Sequence, residues 1–586
     1  MAHSNSKDPI KAYKSEGLRF AQRFRLLFAE PVFENPVTFP AICRHCEHPF
    51  CVDACVTGAL EKTEEGAVVS NLDRCIGCGN CVVACPHGAI RLVELGGRRV
   101  ALKCDLCQGW EGEEPACVMA CPNRALVLEE EGKESLPLEA LLATDGGSPE
   151  SSSPYVIAGG GPAGTAAIRG IREVDEEGRI ILITPEHLGC YSKALLAHYL
   201  CGEESEEGLI YKAKEFFHRN GVEVLLGRRV VRLDPERKRV VLDDGEEVEF
   251  RKFLIATGGK PFVPPMKGLD KEGVFTFTDF EKAKEAREFI EANAKRAVVV
   301  GAGFIGMEVA EALSRMGIET TVVEIAPRIL IRALDDRGAQ IVLDLLKGRQ
   351  ISFRTGDTVE EIMGDGRVKA VRLRSGEVLD CDAVIIAIGV VPNTEVVEGT
   401  TIEVGRGIKV DERMRTSAPD VYAAGDVAEI LDLTDGQRRP IPIFPLANEC
   451  GEIAGINMAG GEAKFGGGIP INTLKFLPVE AVSGGITWGE GLEELTYEGP
   501  GGLPYRKVLL KDGRIVGFVL IGDTYGAGIY TGLIRAKADV SEFKGVLPRP
   551  DFGIHLLPRR WREERFHKDV TRTWAFVEEG GNSDVG

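Results

Sequence analysis

The sequence predicts an α/β protein in three parts: a cysteine-rich N-terminal domain of α+β type, two glycine-marked strand–loop–helix modules, and a small C-terminal α/β domain. Three observations carry that expectation. Twelve of the sixteen cysteines lie between Cys43 and Cys121. A connector rich in Ser, Gly, Pro and acidic residues, from about Glu129 to Pro154, separates them from the rest of the chain. Beyond it one glycine pattern occurs twice, each time after an apolar strand and ahead of a helix-compatible run. At 586 residues the chain has room for about four domains.

The cysteines fall into three groups of four. Cys43, Cys46, Cys51 and Cys55 are spaced CxxCxxxxCxxxC. Cys75, Cys78, Cys81 and Cys85, followed by Pro86, are spaced CxxCxxCxxxCP. Cys104, Cys107, Cys117 and Cys121 form a CxxC pair and a CxxxCP pair with nine residues between them. In the middle run three closely spaced thiolates can hold three corners of a four-iron cubane, and the fourth cysteine of such a run ligates a neighbouring cluster. Zinc also takes four cysteines, but normally from two separated CxxC pairs, so the spacing favours three [4Fe-4S] clusters. Disulfides are disfavoured, since nothing at the N-terminus resembles a signal peptide and cytosolic thiols stay reduced. That gives a cytoplasmic reading. Ahead of the cysteines, LRFAQRFRLLF from Leu18 has helix-compatible apolar spacing, suited to packing on this domain or to docking on a partner.

A formal net charge of −19 argues against nucleic acid as a partner, because phosphate binding needs clustered Lys and Arg. No run of eighteen or more apolar residues is present, so no membrane span is expected.

After the connector, the strand Val156 to Ala158 runs into Gly159, Gly161 and Gly164 and then TAAIRGI. This is a dinucleotide fingerprint in its required context: the glycines admit a pyrophosphate to a helix N-terminus. The next strand, RIILIT, is followed by Pro185 and Glu186, and Glu186 is the candidate for the ribose hydroxyls. The second copy has Gly301, Gly303 and Gly306 after Val298 to Val300, and its second strand ends in Glu324, 18 residues past Gly306. An acid there accepts the ribose 2′-OH and repels a 2′-phosphate, which favours NADH over NADPH, with Arg328 nearby to soften the preference.

Three further segments accompany the two copies: FLIATGGKP with Ala256, Thr257 and Gly258, VIIAIGVVPN with Gly389, Pro392 and Asn393, and APDVYAAGDVAE with Gly425 and Asp426. Together they resemble the two-dinucleotide-binding flavoproteins, typified by rubredoxin reductases, NADH oxidases and pyridine nucleotide-disulfide oxidoreductases. The resemblance implies an FAD domain split by an inserted NAD domain, and Asp426 hydrogen-bonding the flavin's ribityl chain. It further implies that FPLANECGEIAG, with Pro445, Ala447, Asn448 and Gly451, closes over the flavin. Tyr191 and Lys193 resemble a Tyr-x-Arg flavin contact of the rubredoxin and nitrite reductase branch, and Glu308 resembles an acid near the nicotinamide, a solvated helix residue being the alternative. Glu308 and Lys193 are the catalytic candidates. Ala194 stands where disulfide-type members carry their reactive cysteine. Cys190, Cys201, Cys381 and Cys450 read as small core residues.

The cysteine layout resembles the polyferredoxin electron-transfer subunits of molybdenum and tungsten oxidoreductases, with a ferredoxin-like α+β fold. In that family the first two groups cross over: Cys43, Cys46, Cys51 and Cys85 hold one cluster, Cys55, Cys75, Cys78 and Cys81 another, leaving the third group for a third. This chain lacks a further upstream group and has Val56 where the family has proline. The resemblance implies a hetero-oligomer in which NAD(H), FAD and the clusters exchange electrons on behalf of a tungsten or molybdenum pterin enzyme such as an aldehyde oxidoreductase. Ferredoxin, or a small-molecule or sulfur substrate reduced directly, is the alternative acceptor. The expected domains are 1–130 for the clusters, 131–153 as linker, 154–270 with 390–480 for FAD, 271–389 for NAD, 481–555 as the C-terminal domain and 556–586 as tail.

Overall fold

The computed structural model describes residues 43–105 and 153–558, apart from 44, 47, 64, 65, 96, 213 and 475–478. Cys107, Cys117 and Cys121, the stretch from Leu18, the body of the connector and the tail with Trp561 and Trp574 lie outside the described residues. Among the described residues no helix is long and apolar enough to cross a membrane.

The cysteine domain is small and takes its core from sulfur. Two antiparallel hairpins, Leu60–Lys62 with Val68–Ser70 and Arg91–Leu95 with Arg98–Leu102, flank the short helices Phe50–Asp53 and Asn80–Ala84. Cys51, Cys55, Cys81 and Cys85 pack with Ala59, Leu60, Val68, Val82, Ile90 and Ala101.

The two glycine copies fold alike. In the first, five parallel strands run in the order Val421–Ala423, Lys252–Ile255, Tyr155–Ala158, Ile180–Thr184, Val222–Leu226. In the second the order is Val274–Thr276, Ala383–Ile386, Arg296–Val300, Glu319–Glu324, Ile351–Thr355, again all parallel. Both sheets reverse order beside the strand that precedes the glycine loop, the switch point at which doubly wound sheets open a crevice at their carboxyl ends. The strand Val421–Ala423 completes the first sheet after the second module has been traversed, so the first domain is interrupted by the second. An antiparallel bridge of Gly259–Pro261 with Val390–Pro392 ties the two crossings together.

The helix Phe444–Met458 lies directly on the helix Pro162–Val174. Glycines permit that approach: a Cβ on Gly451 would strike the Ala163 carbonyl, one on Gly455 the Ala167 carbonyl, and one on Gly170 the Glu452 carbonyl.

The C-terminal sheet is antiparallel throughout: Ile471–Thr473, Ala481–Gly485, Arg514–Ile521, Tyr505–Lys511 and Glu493–Glu498, with the helix Ala527–Arg535 on one face. Its first strand starts ten residues ahead of 481, because the short polar run Ile-Asn-Thr gains strand structure only by pairing with Ala481–Gly485. This sheet clasps the second module through nearly buried Lys507, whose ammonium lies 2.9 Å from Asp335 and from Glu494, while the Tyr505 hydroxyl donates to Asp335 at 2.7 Å.

The cysteine domain docks on both neighbours. Arg169 pairs with Asp53 at 3.2 Å and Glu452 at 3.1 Å, and the Asn448 side-chain amide donates to the Asp53 carbonyl at 2.8 Å. Arg91 stacks over Tyr525, and Val83 joins the C-terminal core. Gly528 meets the Cys85 and Val82 carbonyls so closely that a side chain has no room. Gly528→Val should therefore wedge the cysteine domain from the C-terminal helix at a cost of about 1–3 kcal/mol. The expected result is a lower thermal midpoint for loss of iron absorbance, with bound flavin retained; an unchanged midpoint would show that this contact does not hold the domain.

Candidate functional site

A single cavity of about 1370 Å³ opens where the carboxyl ends of the two parallel sheets face each other. One small-molecule site occupies roughly 300–1,000 Å³, so this space suits two extended ligands. Gly159 and Gly161 line it on one side, Gly301 and Gly303 on the other. Gly159 (φ 121°) and Gly301 (φ 105°) hold left-handed backbone that other residues adopt only under strain. A Cβ on Gly161 or Gly303 would meet nothing within 4 Å, so the loops present bare backbone to the cavity. The helices Pro162–Val174 and Phe304–Arg315 start immediately after, neither with a side-chain cap, and their first N–H groups remain for an anion such as a pyrophosphate. Gly164 and Gly306, expected among the cofactor-binding residues, do not line the cavity. Each packs its helix against the carbonyl of the first glycine of its loop, where a side chain would collide, so their part is to seat the helix.

Glu186, Ala256, Thr257, Gly258, Glu324, Gly389, Gly425, Asp426 and Ala447 stand on this wall, together with Lys193 and Glu308. Pro445, Asn448 and Gly451, expected to close over the flavin, do not line it: Gly451 faces the Ala163 carbonyl, and the Asn448 amide donates to the Asp53 carbonyl. Glu186 is held by Lys193 at 3.2 Å and by the Tyr191 hydroxyl at 3.0 Å, and Tyr191 in turn accepts the Phe280 N–H at 2.8 Å. Burial, then the Glu186 charge, pushes the Tyr191 phenol far up, so it stays neutral. Burial also raises Asp426 to about 6, with Lys193 pulling the other way. Glu324 accepts from the N–H groups of Ala302 at 2.6 Å and Ala326 at 2.8 Å, which fixes it at the tip of its strand beside the second glycine loop. Arg328, expected close to Glu324 where it would soften the preference for NADH, does not line the cavity. It pairs with Asp336 at 2.9 Å, donates to the Leu334 carbonyl and stacks on Trp488, whereas Arg332 is the arginine on the wall. A four-residue offset in a loop shows no periodicity, so sequence could not choose between them.

Cys190 is not on the wall. Its sulfur lies beneath the first glycine loop, where a Cβ on Gly160 would stand 2.9 Å from it, and burial pushes its thiol up to about 12. Cys381 and Cys450 are likewise buried and raised, and Cys201 is half-buried.

Cys104 aside, the described cysteines of the N-terminal domain sort into two sets across the sequence groups. The Cys51 thiol is raised chiefly by burial and then by Cys85 and Cys43, with Cys46 also near. Cys81 is raised by burial and then by Cys78 and Cys55, followed by Cys51 and Cys75. Cys85, pushed up to about 12 by burial, feels Cys43 and Cys46. The neighbours are thus Cys43, Cys46, Cys51 and Cys85 in one set and Cys55, Cys75, Cys78 and Cys81 in the other, meeting at Cys51 and Cys81. Among the described residues no three His, Cys, Asp or Glu side chains converge as a single-ion site. Cys55, Cys75, Cys78 and Cys81 instead surround a small cavity with Ile76, Leu60 and Leu92, an arrangement that fits a polynuclear group. Backbone N–H groups already point at sulfur: Ala59 to Cys55 at 3.1 Å, Ala101 to Cys75 at 3.3 Å and Ala89 to Cys85 at 3.4 Å. Such bonds stabilise thiolates and tune cluster potentials. Sequence did not single out Lys103, which is 4% exposed and hydrogen-bonds the Val68 and Cys104 carbonyls; burial and then its charge lower His45, and at Cys51 it opposes the rise that burial causes. Asn472 and Asp53 were also missed, since neither belongs to a motif.

Comparison with known proteins agrees with this geometry. The family model described as pyridine nucleotide-disulphide oxidoreductase matches residues 153–442, a 4Fe-4S dicluster domain matches 35–131, and a rubredoxin NAD+ reductase C-terminal domain matches 470–538. The chain is 31% identical over 390 residues to an NADH oxidase of Methanocaldococcus jannaschii, covering 63% of this chain and 87% of that protein. It is 30% identical over 414 residues to the epsilon subunit of NADH-dependent phenylglyoxylate dehydrogenase of Aromatoleum evansii, covering 70% and 98%. Among solved structures, the NAD-dependent persulfide reductase of A. fulgidus superposes with a TM-score of 0.62 at 29% identity, over 67% of this chain and 78% of that one.

Because the Cys190 thiol stays protonated and covered, Cys190→Ala should leave NADH-dependent dye reduction unchanged. In the folded protein iodoacetamide at pH 8 should spare Cys190. Modification of Cys190 with parallel loss of activity would restore a thiol mechanism.

Proposed function

The chain belongs to the pyridine nucleotide-disulphide oxidoreductase family, carrying a 4Fe-4S dicluster domain and a rubredoxin reductase C-terminal domain, and on that footing we propose that it is the NADH-linked electron-transfer subunit of a larger redox complex. The observation that carries this reading is one cavity walled by both glycine loops, in a body to which two crossed sets of four cysteines are docked. When bound, FAD exchanges a hydride with a nicotinamide and single electrons with four-iron clusters. The chain's part is placement and electrostatics.

The first glycine loop and its helix hold the FAD pyrophosphate, Glu186 takes the ribose of that dinucleotide, and Asp426 and Ala447 border the ribityl chain and ring. Lys193 pairs with Glu186 at 3.2 Å and lies within electrostatic reach of Asp426, so both carboxyls would present a fixed field to a bound FAD. The second loop holds the NAD pyrophosphate, Glu324 accepts the 2′-hydroxyl, and half-buried Glu308 on the cavity wall orients the nicotinamide. Cys43, Cys46, Cys51 and Cys85 hold one cluster and Cys55, Cys75, Cys78 and Cys81 the next. Desolvated thiols would lose their protons only as a metal group of compensating charge binds the thiolates. Cys104, Cys107, Cys117 and Cys121 hold a third.

For the acceptor we favour a tungsten or molybdenum pterin enzyme in a hetero-oligomer. The near-complete coverage of a subunit of a named dehydrogenase complex supports a partner. Direct reduction of sulfur through a thiol is opposed by Ala194 and by the burial of Cys190.

Anaerobic NADH should bleach first the flavin and then the iron–sulfur absorbance, and the protein should carry about twelve irons, against about eight for two clusters. Purification from native cells should bring a second polypeptide with a pterin metal. A lone chain that reduces ferredoxin at full rate would defeat the partner reading. Glu324→Ala should raise the efficiency with NADPH relative to NADH by removing a charge from the 2′-phosphate position, with flavin content unaltered; an unchanged ratio would unseat Glu324.

A further inference from the structure

The strand Ile471–Thr473 separates the two kinds of site. Successive side chains of a strand point to opposite faces. Asn472 lines the dinucleotide cavity. Thr473 faces the cysteine domain, where its hydroxyl donates to the Asn80 side-chain oxygen at 2.7 Å and its methyl would stand 3.8 Å from a Cβ on Gly79. Gly79 lines the cavity of Cys55, Cys75, Cys78 and Cys81. Two other contacts converge on this same set. Ile76 lines that cavity and also packs against the core that contains Tyr191 and Leu196, both of which line the dinucleotide cavity. Tyr211 is T-stacked on Phe444 at 5.1 Å, lies 3.4 Å from the Asn448 amide, and is within electrostatic reach of Cys55 and Asp53. The other set meets the flavoprotein through Cys85 against Gly528, on a helix that does not line the dinucleotide cavity, and through the helix of Cys51, whose Asp53 meets Arg169 and Asn448, neither of which lines it.

We propose that electrons leave the flavin for the cluster of Cys55, Cys75, Cys78 and Cys81 across the Thr473–Asn80 contact, and reach the cluster of Cys43, Cys46, Cys51 and Cys85 second. This deepens the function proposed above and rests on it. NADH and a proton convert FAD to FADH2; two single-electron steps return FAD, release two protons to solvent and reduce two clusters by one electron each. Thr473 and Asn80 are positioning residues, holding the receiving loop against the cavity wall. Buried Lys103 stands beside the second set, where its positive charge favours the reduced form and draws electrons onward.

The test is rapid mixing of the anaerobic, cluster-loaded full chain with NADH, following flavin and iron–sulfur absorbance separately. Thr473→Val, which keeps shape but loses the hydroxyl, should leave the flavin rate unchanged and slow cluster bleaching several-fold, and Thr473→Ser should restore it. Cluster bleaching at the wild-type rate in Thr473→Val would overturn the route. A second arm needs no turnover: in a redox titration read by electron paramagnetic resonance, Lys103→Met should lower the midpoint of one cluster, and freeze-quenching after NADH should show that cluster reduced second. If it is reduced first, the order is wrong. If wild-type flavin bleaches and no cluster does, the flavin-to-cluster reading itself fails, and that outcome is distinct from both others.

Discussion

Asn472 and Thr473 are neighbours in sequence, yet one lines a cavity built for dinucleotides and the other touches the loop that walls a cavity of cysteines. That thinness constrains the remainder of the fold. Single electrons cross short gaps, so a chain that joins these chemistries must hold a small, sulfur-cored domain in a fixed position on a much larger one. The cysteine domain has short hairpins and little aliphatic core of its own. It borrows rigidity from its neighbours, with Val83 buried in the C-terminal core and Ile76 packed on the core that spans both dinucleotide modules.

Close backbone contact is the means at several of these junctions. Gly451 and Gly455 let one helix rest on the helix that follows the first glycine loop, and Gly528 brings another against the peptide carbonyls of the cysteine domain. The glycines that shape the dinucleotide loops and those that join domains therefore do one kind of work, removing a Cβ where two backbones must meet.

Charges fix the registers. Arg169 between Asp53 and Glu452, and Lys507 between Asp335 and Glu494, are half-buried or buried pairs at domain junctions. Desolvation offsets most of the Coulomb gain of such pairs, so their contribution lies less in stability than in specifying one arrangement of the domains. Lys103 is a different case: its ammonium is spent on carbonyls and its field falls on thiols.

Local chemistry was legible in the sequence. A glycine loop needs its strand and helix on either side, and a four-iron cluster needs closely spaced cysteines, so the α/β class, the two dinucleotide modules and the iron–sulfur domain could be read from spacing. The loop residues that follow the parallel strands meet on one cavity because those strands end at the same edge of each sheet. Contacts between domains left no such trace. Thr473 lies in a three-residue polar run and Asp53 between two cysteines. Arg332 is four residues from the arginine that spacing suggested, and nothing local distinguishes Lys103 from a surface lysine. Their roles depend on what the fold brings beside them over hundreds of residues, and only packing decides that: spacing along a chain fixes which atoms can share one ligand, and tertiary structure fixes which ligands can reach each other.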